Sequence, residues 1–505
     1  MSLPFNGKPF TFTQPDGTAL WVRGWGDQHH AVFETLNGYT VVRDPASGYY
    51  QYATVDAQGD ELVPTGALPR HGDPVSLGIP TGVRISPQSA RATAREAQGL
   101  LRGRSRWEAR RREAKEQLRQ FSARGPGIAL APPQRETTGD FVGLCLLIQF
   151  PDVPGTIPRE EVEAFCNRTG YSGFGNNGSV RDYFLEISGG RLRYTNLVAP
   201  YYTAQHPRAY YTDRKVAFGL RARELVKEAL LYHHSHGMDF GDLTADSQQY
   251  VYATNVFYAG PRINAWREGL WPHSSSLQTP LALAAGKNAF DYQITDMSDA
   301  LSLGTFCHEN GHMICDFPDL YDYGNQSAGI GGFCLMCTGP NLDEKNPPHV
   351  SAYLKYKAGW SLALTRIGAN LVASAKSTGN EFFIHRKNDT EYFLVENRQH
   401  QGRDMALPGT GLAVWHVDEL GDNQDEQMTE SHHYECSLVQ ADGRHDLENS
   451  ASTFGDATDL FSQEVNSHLG TDTMPNTRWW DGSASGLDLS AIGPSGERMD
   501  FKGDL

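Results

Sequence analysis

The chain has 505 residues, of which 39% are hydrophobic, 11% aromatic and 21% charged, and it carries a formal charge of −16 at pH 7. That length holds roughly two to four domains, and the excess of acid excludes a general nucleic-acid binder. No apolar run approaches the roughly 18 residues that a membrane span needs, and the 52 glycines favour turns and strands over helical bundles.

Met1 to Phe5 offer neither a basic n-region nor an apolar h-region, so no signal peptide is expected in this sequence. Residues 1–83 read as a small β-rich unit. Short apolar runs at 20–23, 31–35, 40–43 and 49–53 alternate with turn signals such as Asp16-Gly17, Asn37-Gly38 and Ser47-Gly48. The unit contains no cysteine, so it cannot silence a metal site with a thiolate. Its metal-seeking groups are Asp27, His29 and His30, in the turn 26–30. A plain folding module is the simpler expectation, with inhibition through that turn as the alternative.

Residues 84–138 change character. Between Arg91 and Arg124 basic residues outnumber acidic ones, with alanine, leucine and glutamine between them, so 104–121 is expected to be an exposed charged helix. Residues 123–138, with Gly125-Pro126-Gly127 and Pro132-Pro133, read as a linker. A solvated helix is the simplest expectation for the basic run. Docking onto the acidic remainder of the chain, and cleavage at its arginines during activation, are the alternatives.

Residues 139–360 carry the chemistry. The run 142–150 is a continuous apolar strand suited to the centre of a sheet. Helices follow at 158–167, with proline in the first turn, and from 178, with Ser179 as N-cap. A strand at 191–198, an amphipathic helix at 217–232 and a strand at 249–258 come next. Trp271-Pro272-His273 reads equally as a packed aromatic loop or as a cleft wall with His273 as its polar contact. Then comes GTFCHENGHMICDFPDLYDY at 304–323, which contains the HExxH pattern His308-Glu309-Asn310-Gly311-His312.

Residues four apart on a helix share a face, with Cβ atoms about 5–6 Å apart. His308 and His312 can therefore grip one metal ion while Glu309 reaches a water on it. Pro318 stops the helix, because proline removes a donor and disfavours helix before it. The pattern predicts a catalytic Zn2+ with an open position. Glu309 is the general base, taking a proton from the attacking water and passing it to a leaving amine. Spacing leaves the third ligand open. Asp316 lies about 12 Å along the helix axis from His308, whereas Asp319 follows the proline on a chain free to fold back and is preferred. His349, Asp322 or a later glutamate are alternatives. Tyr321 or Tyr323 is placed to hydrogen-bond a developing oxyanion. Met336, in FCLMCTG at 333–339, resembles the Met-turn of metzincins, although a lone methionine also packs ordinary cores.

Residues 361–505 turn to period-two strands at 381–385, 392–396, 411–417, 434–440 and 498–502, the pattern of an antiparallel β-sandwich. Asp442, Asp446, Asp456 and Asp459 resemble a Ca2+ loop, since calcium takes about six to eight oxygens from carboxylate-rich turns. A solvated acidic turn is the equal alternative. Seven cysteines, Cys145, Cys166, Cys307, Cys315, Cys334, Cys337 and Cys436, are an odd set. They read first as buried free thiols, then as a disulfide, then as a second zinc site.

Together these segments resemble the immune inhibitor A-type family of secreted bacterial metallopeptidases. The resemblance spans most of the chain. It rests on PDGT at 15–18, GWGD at 24–27, NGYTVV at 37–42, GSVRDYF at 178–184, FYAG at 257–260, WPH at 271–273 and GTFCHE at 304–309. It continues with FPDLYD at 317–322, Leu335-Met336, YFLVENR at 392–398 and GDATD at 455–459. It implies an α+β protein: a β-rich leader at 1–83, a basic helix and linker at 84–138, a zincin-type catalytic domain at 139–360 and a β-sandwich at 361–505. It also implies a secreted zinc metalloendopeptidase made as a zymogen, with calcium as a structural ion. One departure stands out: a metzincin-like HExxHxxG puts glycine where this chain has Cys315, so the turn after the helix must differ. The rival expectation is a catalytically silent binding or scaffold protein of the same fold, against which the intact Glu309 argues. Expected partners are protein or peptide substrates of a monomer, with no nucleic acid and no membrane span.

Overall fold

A computed structural model describes residues 3–101, 105–122, 135–283, 286–425 and 428–505. The chain is a mixed α/β protein with several sheets and no closed barrel. The leader is a six-stranded meander of β1 (Phe5–Thr13), β2 (Ala19–Gly26), β3 (Ala31–Thr35), β4 (Thr40–Arg43), β5 (Tyr50–Val55) and β6 (Leu62–Pro64), each antiparallel to its sequence neighbour. Phe10, Phe12, Leu20 and Val22 point to one face by strand alternation and join Phe33, Val41 and Tyr50 in a core. That core also takes in Trp271, which packs 5.6 Å from the Phe10 ring. The WPH segment therefore serves first as the seam between the N-terminal meander and the region 139–360.

Two helices follow, α1 (Pro87–Leu101) and α2 (Arg106–Ser122). The next layer is built by β7 (Gly139–Gln149), α3 (Arg159–Asn167), α4 (Val180–Ile187), β8 (Leu192–Thr203), α5 (Arg208–Tyr211), α6 (Leu220–Ser235), β9 (Thr254–Tyr258), β10 (His273–Ala282) and β11 (Asn288–Asp296). Its sheet runs β10-β11-β9-β7-β8, parallel throughout except for the antiparallel edge strand β10. The apolar run of β7 is buried on both faces, as parallel sheets require. Cys145 and Leu147 face the helices α3 and α4, while Leu144, Leu146 and Ile148 face Leu225, Val226 and Ala229 of α6. Ser179 begins α4 through a capping box, its hydroxyl accepting from Asp182 N at 3.1 Å and the Asp182 carboxylate accepting from Ser179 N at 3.0 Å.

The metal-motif helix α7 (Leu303–Cys315) and the short α8 (Ala352–Lys357) lead into the last region. Its strands are β12 (Ala363–Arg366), β13 (Leu371–Lys376), β14 (Glu381–Arg386), β15 (Glu391–Arg398), β16 (Gly411–Asp418), β17 (Cys436–Leu438), β18 (Asp488–Ser490) and β19 (Arg498–Asp504), with α9 (Asp446–Asn449) before β18. They form a five-stranded sheet, β12-β14-β15-β16-β17, and a three-stranded one, β13-β19-β18. Phe393, Val395 and Val414 meet Met499 and Phe501 between the two sheets. One pair departs from the antiparallel expectation: β12 runs parallel to β14. The outer face of the larger sheet, with Phe382, Leu394, Ala413 and Trp415, shares a core with Phe306, Cys307 and Ile314 of α7. The β region and α7 thus belong to one hydrophobic core. Among the described residues no helix is long and apolar enough to cross a membrane.

A candidate metal centre

Every residue of α7 from Phe306 to Cys315 is buried. A polar network beneath it fixes its position. Asn310 Oδ1 accepts from Tyr194 Oη at 2.5 Å, and Asn310 Nδ2 donates to Asn255 Oδ1 at 2.9 Å and to Phe306 O at 2.8 Å. Asn255 in turn donates to Asn196 and accepts from Gln293. A connected buried network of this kind specifies one helix position over the sheet. On the other side a Cβ added to Gly311 would sit 2.7 Å from Met336 Sδ. The glycine inside the motif is there because Met336 packs against the helix backbone.

The helix ends as the Cys315 departure requires, by a turn made one residue later. Asp316 takes the left-handed conformation, φ 57°, which aspartate tolerates better than most residues. The chain doubles back, and Phe317 O accepts from His312 Nδ1 at 2.6 Å. Leu335 O, beside Met336, accepts from His308 Nδ1 at 2.9 Å. A carbonyl can only accept, so both rings carry their proton on Nδ1 and turn the other nitrogen inward. His308 Nε2 then lies 3.0 Å and His312 Nε2 3.2 Å from Asp319 Oδ1. Asp319 Oδ2 accepts from Tyr323 Oη at 2.5 Å.

All three side chains are buried, at 0 to 1% exposure. Burial opposes a proton on His308, yet the Asp319 carboxylate outweighs it and holds the imidazole above its ordinary value. Burial would likewise raise the Asp319 carboxyl, but His312 and His308 hold it well below the usual carboxylate range. The donor set fits a tetrahedral cation. Bonds of about 2.0–2.1 Å place ligand atoms about 3.3 Å apart, close to the spacing seen here. Fixed outer nitrogens and a hydrogen-bonded carboxylate are the partners that orient metal ligands.

The other residues singled out from sequence fall in different places. Asp322 accepts from Gly324 N and Gln326 N and shapes the following turn. His349 lies 3.8 Å from Glu186, away from the cluster. Asp316 pairs with Arg110 at 2.6 Å and with Arg135. Tyr321 Oη donates to Asp27 Oδ2 at 3.1 Å. His273 is buried, its Nδ1 donating to Trp271 O at 2.7 Å and its ring 4.6 Å from Phe218. Asp442, Asp446 and Asp456 bring carboxylate oxygens within 4.8 Å of one another. Arg444 lies 3.5 Å from Asp442 and 3.7 Å from Asp456, so one cation already offsets part of the charge of that group. Asp459 instead accepts from Asp456 N at 2.6 Å. All seven cysteines are free and buried. Cys337 Sγ donates to Ala328 O, so the CxxC pair serves as packing.

The basic helix docks by one face and leaves Arg112, Glu113, Glu116 and Arg119 exposed on the other. Arg106 N and Trp107 N donate to Asp291 of β11 at 2.9 and 3.2 Å, so a carboxylate from the parallel sheet caps the positive end of α2. Arg106 pairs with Asp246 at 3.1 Å, Arg110 with Asp316, and Arg111 and Lys115 with Glu435. The Trp107 ring stacks 4.5 Å from the His312 ring at 18°. Composition hinted at this docking through the opposite charges of α2 and the rest of the chain, but Trp107 gave no signal of its own. The linker reading for 123–134 falls outside the described residues.

Comparison with protein-family models and with curated proteins finds no match.

Proposed function

We propose that the chain is a zinc-dependent endopeptidase, made as a zymogen and acting on protein or peptide substrates. The observation that carries this reading is the convergence of two Nε2 atoms on one Asp319 oxygen, with both Nδ1 protons committed to main-chain carbonyls. A buried glutamate beside the first histidine adds the base, and together these support the HExxH class of metallopeptidases. Within that class the motif ensemble from PDGT to GDATD supports the immune inhibitor A type, and secretion belongs to the same proposal. Calcium would occupy Asp442, Asp446 and Asp456 only by displacing Arg444.

A zinc ion held by His308, His312 and Asp319 would polarise the scissile carbonyl and bring the pKa of a water to about 7. Glu309 takes the proton of the attacking water and hands it to the leaving amine. Tyr323 keeps Asp319 in position through its 2.5 Å hydrogen bond. Tyr321, four residues from Phe317, offers a hydroxyl to the oxyanion once Asp27 no longer holds it.

The test is a casein assay on leader-cleaved protein. Glu309→Ala is expected to lower turnover by roughly 10²–10⁴-fold while zinc content stays the same. Activity that survives this substitution contradicts the mechanism, and bound zinc with no activity in any processed form supports a scaffold protein instead.

A further inference from the structure

His349 and the end of the YFLVENR segment, Glu396 to Arg398, take no part in the candidate metal centre, and the fold brings them together elsewhere. They line a cavity of about 240 Å3 where α4 and α8 meet β15 and the β13–β14 loop. Lys355 of α8, Glu396 and Arg398 are each at most 5% exposed. Buried charges are ordinarily paired, and here all but one are. Arg398 Nε and Nη2 donate to the two oxygens of Asp404 at 2.7 and 2.8 Å. Glu396 Oε1 accepts from Trp415 Nε1 at 2.9 Å and from Ala352 N at 3.0 Å. At the rim Glu186 accepts from Arg403 Nε at 2.7 Å, and Glu381 from Lys376 Nζ at 3.0 Å. Lys355 is the exception. Among the described residues its ammonium has no hydrogen bond and no ion pair, and it lies 6.0 Å from the centroid of the Phe382 ring. Burial pushes that ammonium below its ordinary value, and Glu396 opposes the shift only from beyond hydrogen-bond distance.

We propose that this cavity is a binding site for a small oxyanion, a carboxylate or a phosphate, held by the Lys355 ammonium. The carboxylates around it already have their donors, so the group the cavity lacks is an acceptor at Lys355. His349 is the second polar group on the wall: its Nε2 lies 3.8 Å from Glu186 Oε1, too far for a full hydrogen bond. The floor is set before any ligand arrives, because Arg398 Nη1 also donates to Phe333 O at 3.1 Å. The volume falls below the roughly 300–1,000 Å3 of pockets for drug-sized ligands, which suits a small ion rather than a peptide. The site stands apart from α7 and does not depend on the zinc-peptidase reading.

The test is isothermal titration calorimetry on the full chain, with succinate and inorganic phosphate as separate probes and with zinc content matched between samples. Wild type is expected to bind one ion per chain. Lys355→Met keeps the apolar stem and removes the charge, and it should bind at least tenfold more weakly. Thr378→Trp, at an exposed position of the β13–β14 loop, narrows the mouth and should weaken binding as well; it carries the test if Lys355→Met does not fold. Binding of succinate alone identifies the ligand group as a carboxylate, and binding of phosphate alone as a phosphate. Equal affinity in wild type and in the folded variant places the ion elsewhere, at the zinc included, and overturns the proposal. So does a wild-type chain that binds neither probe at millimolar concentration, since the cavity then holds water only.

Discussion

Metal-seeking side chains gather in two places among the described residues, and the two are held differently. At α7 each ligand has its second polar atom committed: His308 to Leu335 O, His312 to Phe317 O and Asp319 to Tyr323. The atoms that remain all face one point and none is exposed to solvent. In the 442–459 turns Asp442, Asp446 and Asp456 are partly exposed, Asp456 to 45% of its side chain, and Asp442 and Asp456 share Arg444 as counter-charge. Two histidines and one aspartate converge at α7, and three aspartates in the turns. What separates the candidate metal centre from the acidic turn is that its outer atoms are fixed by hydrogen bonds, whereas in the turn Arg444 sits against the carboxylates.

Three substitutions sharpen the contrast, and the largest effect falls on the fixed partner. Tyr323→Phe removes only the hydrogen bond to Asp319 Oδ2, and zinc affinity should drop by roughly 10–100-fold, the usual cost of losing such a partner. Competition with a chromogenic chelator measures it; an unchanged affinity would mean that Asp319 is held by other contacts. Asp459→Asn probes the acidic turn through pH. Burial, reinforced by Asp456, Asp442 and Asp446, pushes the Asp459 carboxyl up to about 7. A raised carboxyl favours the folded state at low pH, and that contribution fades as pH rises from about 4 to about 7. The asparagine variant should therefore melt a few degrees higher than wild type at pH 8 and equally at pH 4. A gain that is the same at both values would show that charge is not the cause. Asp442→Ala loses the hydrogen bonds from Arg444 N and Thr458 Oγ1 and should lower stability by about 1 kcal/mol while leaving zinc content untouched.

Much of the geometry of the candidate metal centre was legible in the sequence because HExxH is a one-helix pattern, and a helix fixes the relation between residues four apart. Asp319 was reachable by a negative argument, since Asp316 lies too far along the axis and the proline frees the chain beyond it. What could not be read was the turn itself. Asp316 in the left-handed region replaces the glycine expected at Cys315, and its neighbours Arg110 and Arg135 lie far away in sequence. The strands of the leader, at 31–35 and 40–43, followed their alternating pattern. β10 and β11 did not, because His273 to Ser276 are all buried and a buried serine run shows no period of two. Docking of α2 was hidden for a related reason: a charged helix looks the same whether its partners are water or distant acids. The polar turn at Asp27–His30 gave the residues but not the surface they meet.

The central claim is that His308, His312 and Asp319 together hold one metal ion. Zinc per chain, measured by plasma mass spectrometry on purified full-length protein, tests it most directly. The account predicts one zinc in wild type, Glu309→Ala and Asp442→Ala, and almost none in Asp319→Ala. A full complement of zinc in Asp319→Ala, or none in the wild type, would contradict it.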